Sequence, residues 1–270
     1  MLHRNEKLAV CDPVWSKLRE DAETIRAREP ALAGLIQTSL LAHERLEEAL
    51  AVRIAQKLGN ADLSAMTVRQ IFDEAHAADP AMGVAARADI VAVFERDPAC
   101  TRYIEPFLFF KGFHALQTYR VAHWLWVNGR KDLGWFLTNR MSEQFGVDIH
   151  PGARLGQGIM MDHATGIVIG ETAVVEDGVS MLHGVTLGGT GKATEDRHPK
   201  IGRGVMIGAG AKVLGNIAVG HCAKIAAGSV VLHPVPPCAT VAGVPAKIIS
   251  IKEGCAPAVD MDQSVDGAAI

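Results

Sequence analysis

The stretch Ile201-Gly-Arg-Gly-Val-Met-Ile207-Gly-Ala-Gly-Ala-Lys-Val213-Leu-Gly-Asn-Ile-Ala-Val219 has an aliphatic residue at every sixth position. A strand repeats every two residues and a helix every 3.6, so neither element gives this spacing. A six-residue period is typical of a parallel β-helix, in which each short strand turns one aliphatic side chain inward before the chain turns a corner. Three hexads close one triangular coil, and successive coils stack their aliphatic residues into a narrow core.

The same period extends over most of the second half of the chain, with one interruption at residues 191–200. We expect the series to resume after that interruption without a change of phase. Its members are Ile149, Leu155, Met161, Ile167, Ala173, Val179, Val185, Ile201, Ile207, Val213, Val219, Ile225 and Val231. The sequence therefore predicts a β-helix domain over residues 144–250, with a projecting loop at residues 191–200.

The first 143 residues have a different pattern, with apolar residues at helical spacing among charged ones. This pattern predicts helices over residues 14–28, 32–58, 66–77, 85–96, 105–128 and 131–144. The last twenty residues, 251–270, are mostly small, polar or acidic, which is typical of a flexible tail. We therefore expect an α+β chain made of an all-helical N-terminal domain, the β-helix and the tail.

Composition narrows the classes of function. The chain of 270 residues has a formal net charge of −3 and contains no Lys/Arg-rich block, which argues against a nucleic-acid partner. Its most apolar segment, residues 107–127, contains Lys111, His114, Arg120 and His123, which argues against a membrane span. The five cysteines form no CxxC pair, as expected for reduced thiols, and the N-terminus lacks the apolar stretch of a signal peptide. We therefore expect a cytoplasmic protein with no metal site.

Polar residues inside the aliphatic series are candidates for chemistry. His163 follows Asp162 in the run Met161-Asp-His-Ala-Thr-Gly166, and an imidazole can take a proton from a hydroxyl near neutral pH. Asp148 is the candidate carboxylate that orients it, although one coil of 18 residues from Asp148 reaches Gly166 and contact is not shown by counting. The alternative is that His163 is a structural histidine.

The interruption at residues 191–200 contains two more candidates. Arg197 has a guanidinium fork that suits a carboxylate, and His198 adds a second donor beside it. A solvated polar loop without function is the alternative.

Longer motifs closely resemble serine O-acetyltransferases, which are hexapeptide-repeat acyltransferases. These motifs are Asp148-Ile-His-Pro151, Met161-Asp-His-Ala-Thr-Gly-Ile-Val-Ile-Gly-Glu-Thr-Ala173, Val185-Thr-Leu-Gly-Gly-Thr-Gly-Lys192, Asp196-Arg-His-Pro-Lys200 and Ala242-Gly-Val-Pro-Ala-Lys247. Lys111-Gly-Phe-His-Ala-Leu-Gln117 and the turn Arg96-Asp-Pro98 resemble the N-terminal domain of the same family. The resemblance covers nearly the whole chain and implies that the β-helix is left-handed.

The resemblance also implies an activity, the transfer of acetyl from acetyl-CoA to the hydroxyl of L-serine. The products are O-acetylserine and CoA, the first step of cysteine biosynthesis, and acetyl-CoA is a co-substrate rather than a tightly bound cofactor. The roles that it implies are His163 as general base with Asp148 as its partner, Asp97 and Asp162 for the serine ammonium, and Arg197 and His198 for its carboxylate.

For acetyl-CoA, the resemblance implies backbone contacts near Ala209, Gly210 and Ala227, with Lys224 and Lys247 near the phosphates. Gly189 is the expected contact at the acetyl group, where a backbone amide stabilises the oxyanion. Two departures from the family pattern affect the site. Glu195 replaces a glycine in the loop, and Ala226 replaces a glycine near the CoA groove.

The family further implies a homotrimer that pairs into a hexamer through the helical domain. It implies inhibition by L-cysteine, and binding of O-acetylserine sulfhydrylase by the C-terminal residue Ile270. Three other interpretations remain open at this point. They are an acetyltransferase for homoserine or a sugar, a zinc lyase resembling the γ-carbonic anhydrases, and an inactive scaffold that only binds the sulfhydrylase.

Overall fold

The N-terminal half of the protein is helical, as predicted. The computed structural model describes residues 12–191, 194–252, 254 and 256–265. Its helices are α1 (Pro13–Arg28), α2 (Ala33–Ile36), α3 (Leu46–Leu58), α4 (Ala65–Ala78), α5 (Ala81–Arg96), α6 (Ile104–Leu108), α7 (Lys111–Val127) and α8 (Lys131–Phe145), with a 3₁₀ turn at Pro30–Leu32 and a π-helical turn at Gln37–Leu41. Among all the residues that the structure describes, no helix is both long enough and apolar enough to span a membrane.

The helix predicted over residues 32–58 is divided in the structure, so that prediction was wrong there. The helical backbone ends after Leu41 and begins again at Leu46. Side chains of α1 take the carbonyls in between, since Trp15 Nε1 donates to the carbonyl of Glu44 at 2.7 Å and an Arg19 guanidinium nitrogen donates to that of His43 at 2.6 Å. Tertiary hydrogen bonds thus replace the helical ones, and helical spacing alone does not reveal them.

The helix predicted over residues 105–128 is also divided, between Leu108 and Lys111. The carbonyls at the end of α6 are bonded from elsewhere, because His114 Nε2 donates to the Phe107 carbonyl at 2.7 Å and Arg53 donates to that of Leu108 at 2.5 Å. Burial lowers the pKa of His114 to about 3, so this imidazole is neutral and structural.

The second half is a parallel, left-handed β-helix of about five coils, as the hexad spacing and the family resemblance predict. The strands are β1 (Val147–Ile149), β2 (Arg154–Leu155), β3 (Met160–Met161), β4 (Ile167–Ile169), β5 (Val174–Val175), β6 (Ser180–Met181), β7 (Thr186–Gly188), β8 (Lys200–Ile201), β9 (Met206–Ile207), β10 (Lys212–Leu214), β11 (Ala218–Val219), β12 (Lys224–Ile225), β13 (Val230–Val231), β14 (Ala239–Gly243) and β15 (Ala246–Ile251). They form three faces: face A (β1-β4-β7-β10-β13), face B (β2-β5-β8-β11) and face C (β3-β6-β9-β12-β14-β15). Every member of the predicted aliphatic series is buried except Leu155, which is partly buried.

The phase of the series differs from the prediction. Each face of a coil has two inward positions, such as Val147 and Ile149 in β1 or Ala173 and Val175 at β5, instead of one. Asp148 pairs with Val168, twenty residues on, whereas Val168 pairs with Thr186 after eighteen. The corner at residues 162–166 therefore contains two extra residues, and the series changes there from the second inward position to the first. After residues 191–200 it returns to the second, because Ile201 pairs with Val175. The expectation that the series resumes without a change of phase was therefore wrong.

The helices cover the first coil of the β-helix through a buried ion pair. Asp89 of α5 is fully buried and accepts from Arg120 of α7 at 2.6 Å and from the backbone amide of Ile159 at 3.0 Å. Arg120 also donates to the carbonyl of Gly156 at 2.9 Å. One carboxylate thus joins two helices and the first coil.

The chain turns back at the far end of the β-helix. Strand β15 pairs antiparallel with β14, and a helical turn, α9 (Pro257–Asp260), follows it. Ser180 Oγ donates to the carbonyl of Ala258 at 2.8 Å, and Met261 packs near Met160. The described part of the tail thus lies over face C, while Ile270 falls outside the described residues.

Candidate active site

The corner that contains His163 has an uncommon backbone. The amide of Ala164 donates to the Asp162 carbonyl at 2.5 Å, and that of Thr165 donates to the His163 carbonyl at 2.8 Å, so two three-residue turns follow each other. Their central residues have φ values of 54° for His163 and 59° for Ala164. This left-handed conformation costs a non-glycine residue about 1–2 kcal/mol. The two extra residues of this corner carry His163 outward, and its side chain is 76% exposed.

A pocket of about 430 Å³ lies between this corner and the helices. Asp97, at the end of α5, lines it together with Asp162 and His163, and Phe110 belongs to its apolar wall. An Asp162 carboxylate oxygen lies 3.9 Å from His163 Nε2. The structure therefore brings together the predicted base and both carboxylates predicted to bind an ammonium group.

Helix α7 approaches this corner directly because its second residue is a glycine. A Cβ atom on Gly112 would lie 2.1 Å from the carbonyl oxygen of Met161, so a side chain does not fit there. The ammonium of Lys111 donates to Thr165 Oγ1 on the corner itself. The close packing of α7 thus fixes the wall of the pocket opposite His163.

Asp148 lies on a different element from His163. It is the exposed middle residue of β1 on face A, and its pairing with Val168 replaces the predicted alignment with Gly166. In the described part of the chain, the ion-pair contact of His163 is with Asp162. The expected Asp148–His163 contact thus remains a prediction.

Arg197 and His198 lie at a different corner, between faces A and B. The loop that contains them follows β7, and β5 and β8 pair at a spacing of 26 residues, so this corner has eight extra residues. Arg197 Nη2 donates to Glu171 Oε2 at 2.7 Å, and Nη1 donates to the carbonyl of Glu195 at 3.2 Å. The hydrogen bond from Arg197 is the main reason that the pKa of Glu171 is lowered. The guanidinium is therefore held in place by a charged partner.

His198 is held just as firmly. The backbone amide of Thr172 donates to His198 Nδ1 at 3.2 Å, so the proton of the neutral ring is on Nε2. Burial lowers the pKa of His198, and the charges of Arg197 and Lys200 lower it further. A Cβ on Gly170 would lie 2.0 Å from His198 Nε2, so the ring occupies the space that this glycine leaves. His198 is thus a neutral donor beside Arg197.

Three of the six predicted CoA residues lie at the corner column above His163. Ala209 and Gly210 form the corner after β9 and Ala227 forms the next one, where the amide of Gly228 donates to the Ala209 carbonyl at 2.8 Å. Lys224 is on face C, with its ammonium 2.5 Å from the carbonyl oxygen of Ser264 in the tail. The two remaining residues are Lys247, exposed in β15, and Gly189, packed against Arg197.

Two residues of the site were missed by the sequence analysis. Glu171 positions the Arg197 guanidinium, and Thr172 accepts the amides of both Arg197 and His198 on its Oγ1. Both lie at the corner between faces A and B, one coil before the loop. Polar residues at the position one coil before the loop could therefore have been predicted to contact it. Among the described residues, no group of three His, Cys, Asp or Glu side chains is placed to hold a metal ion.

Comparisons with known proteins identify the family. Residues 14–118 match the family profile "Serine acetyltransferase, N-terminal", and residues 198–233 match "Bacterial transferase hexapeptide (six repeats)". The fold and the hexapeptide match define an acyltransferase of the hexapeptide-repeat class. The serine acetyltransferase of Escherichia coli (strain K12) is 56% identical over 94% of this chain and 93% of its own length. The chain therefore belongs to the serine acetyltransferase family.

Solved structures support the same assignment. The serine acetyltransferase of Vibrio cholerae O1 superposes with a TM-score of 0.93 at 55% identity and covers 94% of this chain and 98% of that one. A serine acetyltransferase complex with cysteine has a TM-score of 0.93 at 52% identity, covering 93% and 98% of the two chains. The Brucella abortus strain S19 enzyme was solved with coenzyme A, with a TM-score of 0.89 at 56% identity and coverages of 91% and 98%. The Neisseria gonorrhoeae enzyme was solved with serine, with a TM-score of 0.85 at 52% identity and coverages of 89% and 99%.

Proposed function

We propose that this protein transfers the acetyl group of acetyl-CoA to the hydroxyl of L-serine, giving O-acetylserine and CoA. The observation that carries the proposal is the pocket in which His163 lies beside Asp97 and Asp162. A zwitterionic amino acid needs carboxylates for its ammonium, and a hydroxyl acceptor needs a base. An apolar pocket with only a histidine would not select serine over a neutral alcohol.

We assign the steps of the reaction to these groups. The imidazole of His163 takes the proton of the serine hydroxyl as the oxygen attacks the acetyl thioester carbon. The tetrahedral oxyanion accepts a hydrogen bond from the backbone amide of Gly189, and its collapse breaks the C–S bond. The imidazolium then returns the proton to the CoA thiolate. Asp148 orients the imidazole and stabilises its charged form.

We infer that a complete serine site needs two chains. His163 follows a strand of face C and Arg197 follows a strand of face A, so the full width of face A separates their corners within one chain. Three strand residues span about 10 Å, which exceeds the reach of one bound serine. In a trimer with threefold symmetry, the corner of one subunit meets the neighbouring corner of the next. Arg197 and His198 of one chain then face the His163 pocket of another.

The assembly and regulation extend this proposal. The subunits form a trimer that pairs into a hexamer through the helical domain. L-Cysteine inhibits by occupying the serine site, because it is a zwitterion of nearly the same size, and a relative was solved with cysteine. The tail residue Ile270 binds O-acetylserine sulfhydrylase, since its apolar side chain suits a pocket on that enzyme.

The acceptor is tested by thioester loss from acetyl-CoA with the purified oligomer. We expect loss of the thioester that depends on L-serine and is much slower with L-homoserine, whose extra methylene moves the hydroxyl away from His163. The control is the assay without acceptor, which measures hydrolysis. Equal rates with serine and homoserine would overturn the assignment of the acceptor, and no loss with either would overturn the reaction.

A further inference from the structure

One corner column of the β-helix has the same left-handed backbone in every coil. The column runs along the edge between faces B and C. Its members are Gly158 (φ 65°), Gly178 (φ 73°), Gly204 (φ 68°), Cys222 (φ 55°) and Cys238 (φ 59°). Glycine adopts this conformation without strain, whereas a residue with a Cβ does not. The last two coils therefore keep a cysteine at a position where the backbone favours glycine, and such local strain points to a role for the side chain.

The two cysteines are stacked in register. Lys224 pairs with Thr240 in parallel strands, which places Cys222 directly below Cys238 in the next coil. The amide of Cys222 donates to the carbonyl of Arg203 at 2.8 Å, and that of Cys238 donates to the carbonyl of His221 at 2.9 Å, so the two turns repeat each other. Both side chains are partly buried thiols.

Stacked coils lie at the spacing that a disulfide needs. Neighbouring parallel strands are about 4.8 Å apart. Disulfides join Cα atoms that are about 4.4–6.8 Å apart, with Cβ atoms near 3.8 Å. Cysteines in register on neighbouring coils are thus about 1 Å from the usual Cβ separation of a disulfide. The Sγ atom of Cys222 lies against Gly204 of the coil before it, so a rotation about χ1 is needed to turn it toward Cys238.

A small cavity borders both cysteines. It has a volume of about 110 Å³ and is lined by Cys222 and Cys238, and on the other side by Pro257 and Asp262 of the tail. A water molecule takes about 30 Å³ of liquid volume, so a molecule of hydrogen peroxide fits. Lys224, two residues after Cys222, holds the tail over this cavity through the Ser264 carbonyl.

We propose that Cys222 and Cys238 are a redox-active pair that a peroxide converts to a reversible intrachain disulfide. The thiolate of one cysteine attacks a peroxide oxygen, so an S–O bond forms, the O–O bond breaks and hydroxide leaves to become water. The second thiolate attacks the sulfenic sulfur, so the S–S bond forms, the S–O bond breaks and a second water is released. Two thiols are oxidised and one peroxide is reduced to two waters. The disulfide clamps the last two coils beneath the tail, and the inference does not depend on the proposed acetyl transfer.

The experiment treats the full-length oligomer with hydrogen peroxide and analyses it by intact mass and by peptide mapping without reduction. We expect each chain to lose two hydrogen atoms, a cross-linked peptide that joins Cys222 to Cys238, and full recovery of both thiols with dithiothreitol. Cys222→Gly and Cys238→Gly are matched controls, because glycine fits the column and leaves the fold intact. Each variant is expected to lack the cross-linked peptide.

Other products would overturn the proposal. These are a disulfide from Cys238 to Cys255, a disulfide between two chains, and conversion of either cysteine to sulfinic acid without a cross-link. Unchanged thiols after peroxide treatment, with Cys100 modified under the same conditions, would overturn it as well. Burial raises the pKa of Cys100 to about 12, so this thiol is expected to react last.

Discussion

Replacing His163 by alanine is expected to lower the turnover number with L-serine by about 10²–10⁴-fold, the usual contribution of a general base. The serine hydroxyl then has no group to take its proton, whereas Asp97 and Asp162 remain to bind the ammonium. The KM for serine should therefore change much less than the turnover number. Steady-state kinetics of thioester loss, with serine varied at saturating acetyl-CoA, separate the two parameters.

His183 provides the matched control for this variant. Its ring centroid lies 6.0 Å from that of His163, and it belongs to the equivalent corner of the next coil. Because His183 does not line the pocket between the corner and the helices, His183→Ala is expected to keep most of the activity. A His163→Ala enzyme with nearly normal turnover would contradict the role of the histidine as base.

Replacing Asp89 by alanine is expected to lower the free energy of unfolding by about 3–5 kcal/mol, as when one partner of a buried ion pair is removed. The side chain of Arg120 is only 9% exposed and would remain charged without its carboxylate. The amide of Ile159 would also lose its acceptor. Denaturant unfolding at a fixed protein concentration measures the loss, since the stability of an oligomer depends on concentration.

An exposed ion pair between helices serves as the control. Glu74 accepts from Arg130 at 2.8 Å, and the two side chains are 54% and 39% exposed. Such surface pairs contribute about 0–1 kcal/mol, so Glu74→Ala is expected to lose little stability. Equal losses in Asp89→Ala and Glu74→Ala would contradict the view that the buried carboxylate joins the helices to the first coil.

Much of the fold could be predicted because the repeat is a local property of the chain. The residues from Ile201 to Val219 show the period without any knowledge of neighbouring coils, and all of them in the series are buried. The helices were predicted for the same reason. Their divisions were missed because the groups that end them, such as Trp15 and Arg53, come from distant positions in the chain.

The geometry of the site was less accessible from the sequence. A regular coil of eighteen residues would place Gly166 beside Asp148, whereas the structure places Val168 there. Nothing in the spacing shows that the corner with His163 contains two extra residues. The structure reveals them because β1 and β4 pair at a spacing of twenty. Glu171 was missed for a related reason, since its contact with Arg197 follows from the stacking of two coils at one corner.

The central claim is that serine binds between two chains, and mixed oligomers test it most directly. His163→Ala and Arg197→Ala chains with different tags are co-expressed, and oligomers that contain both are isolated. Random mixing in a closed ring makes about a quarter of the interfaces intact, with His163 from one chain and Arg197 from its neighbour. Oligomers of His163→Ala with Asp162→Ala are the control, because both changes affect the same corner.

We predict that the mixed oligomers of His163→Ala and Arg197→Ala recover about a quarter of the native kcat/KM for serine, and that the control pair recovers none. Mixed oligomers no more active than their parents would place both corners around one serine within a single chain and contradict the shared site.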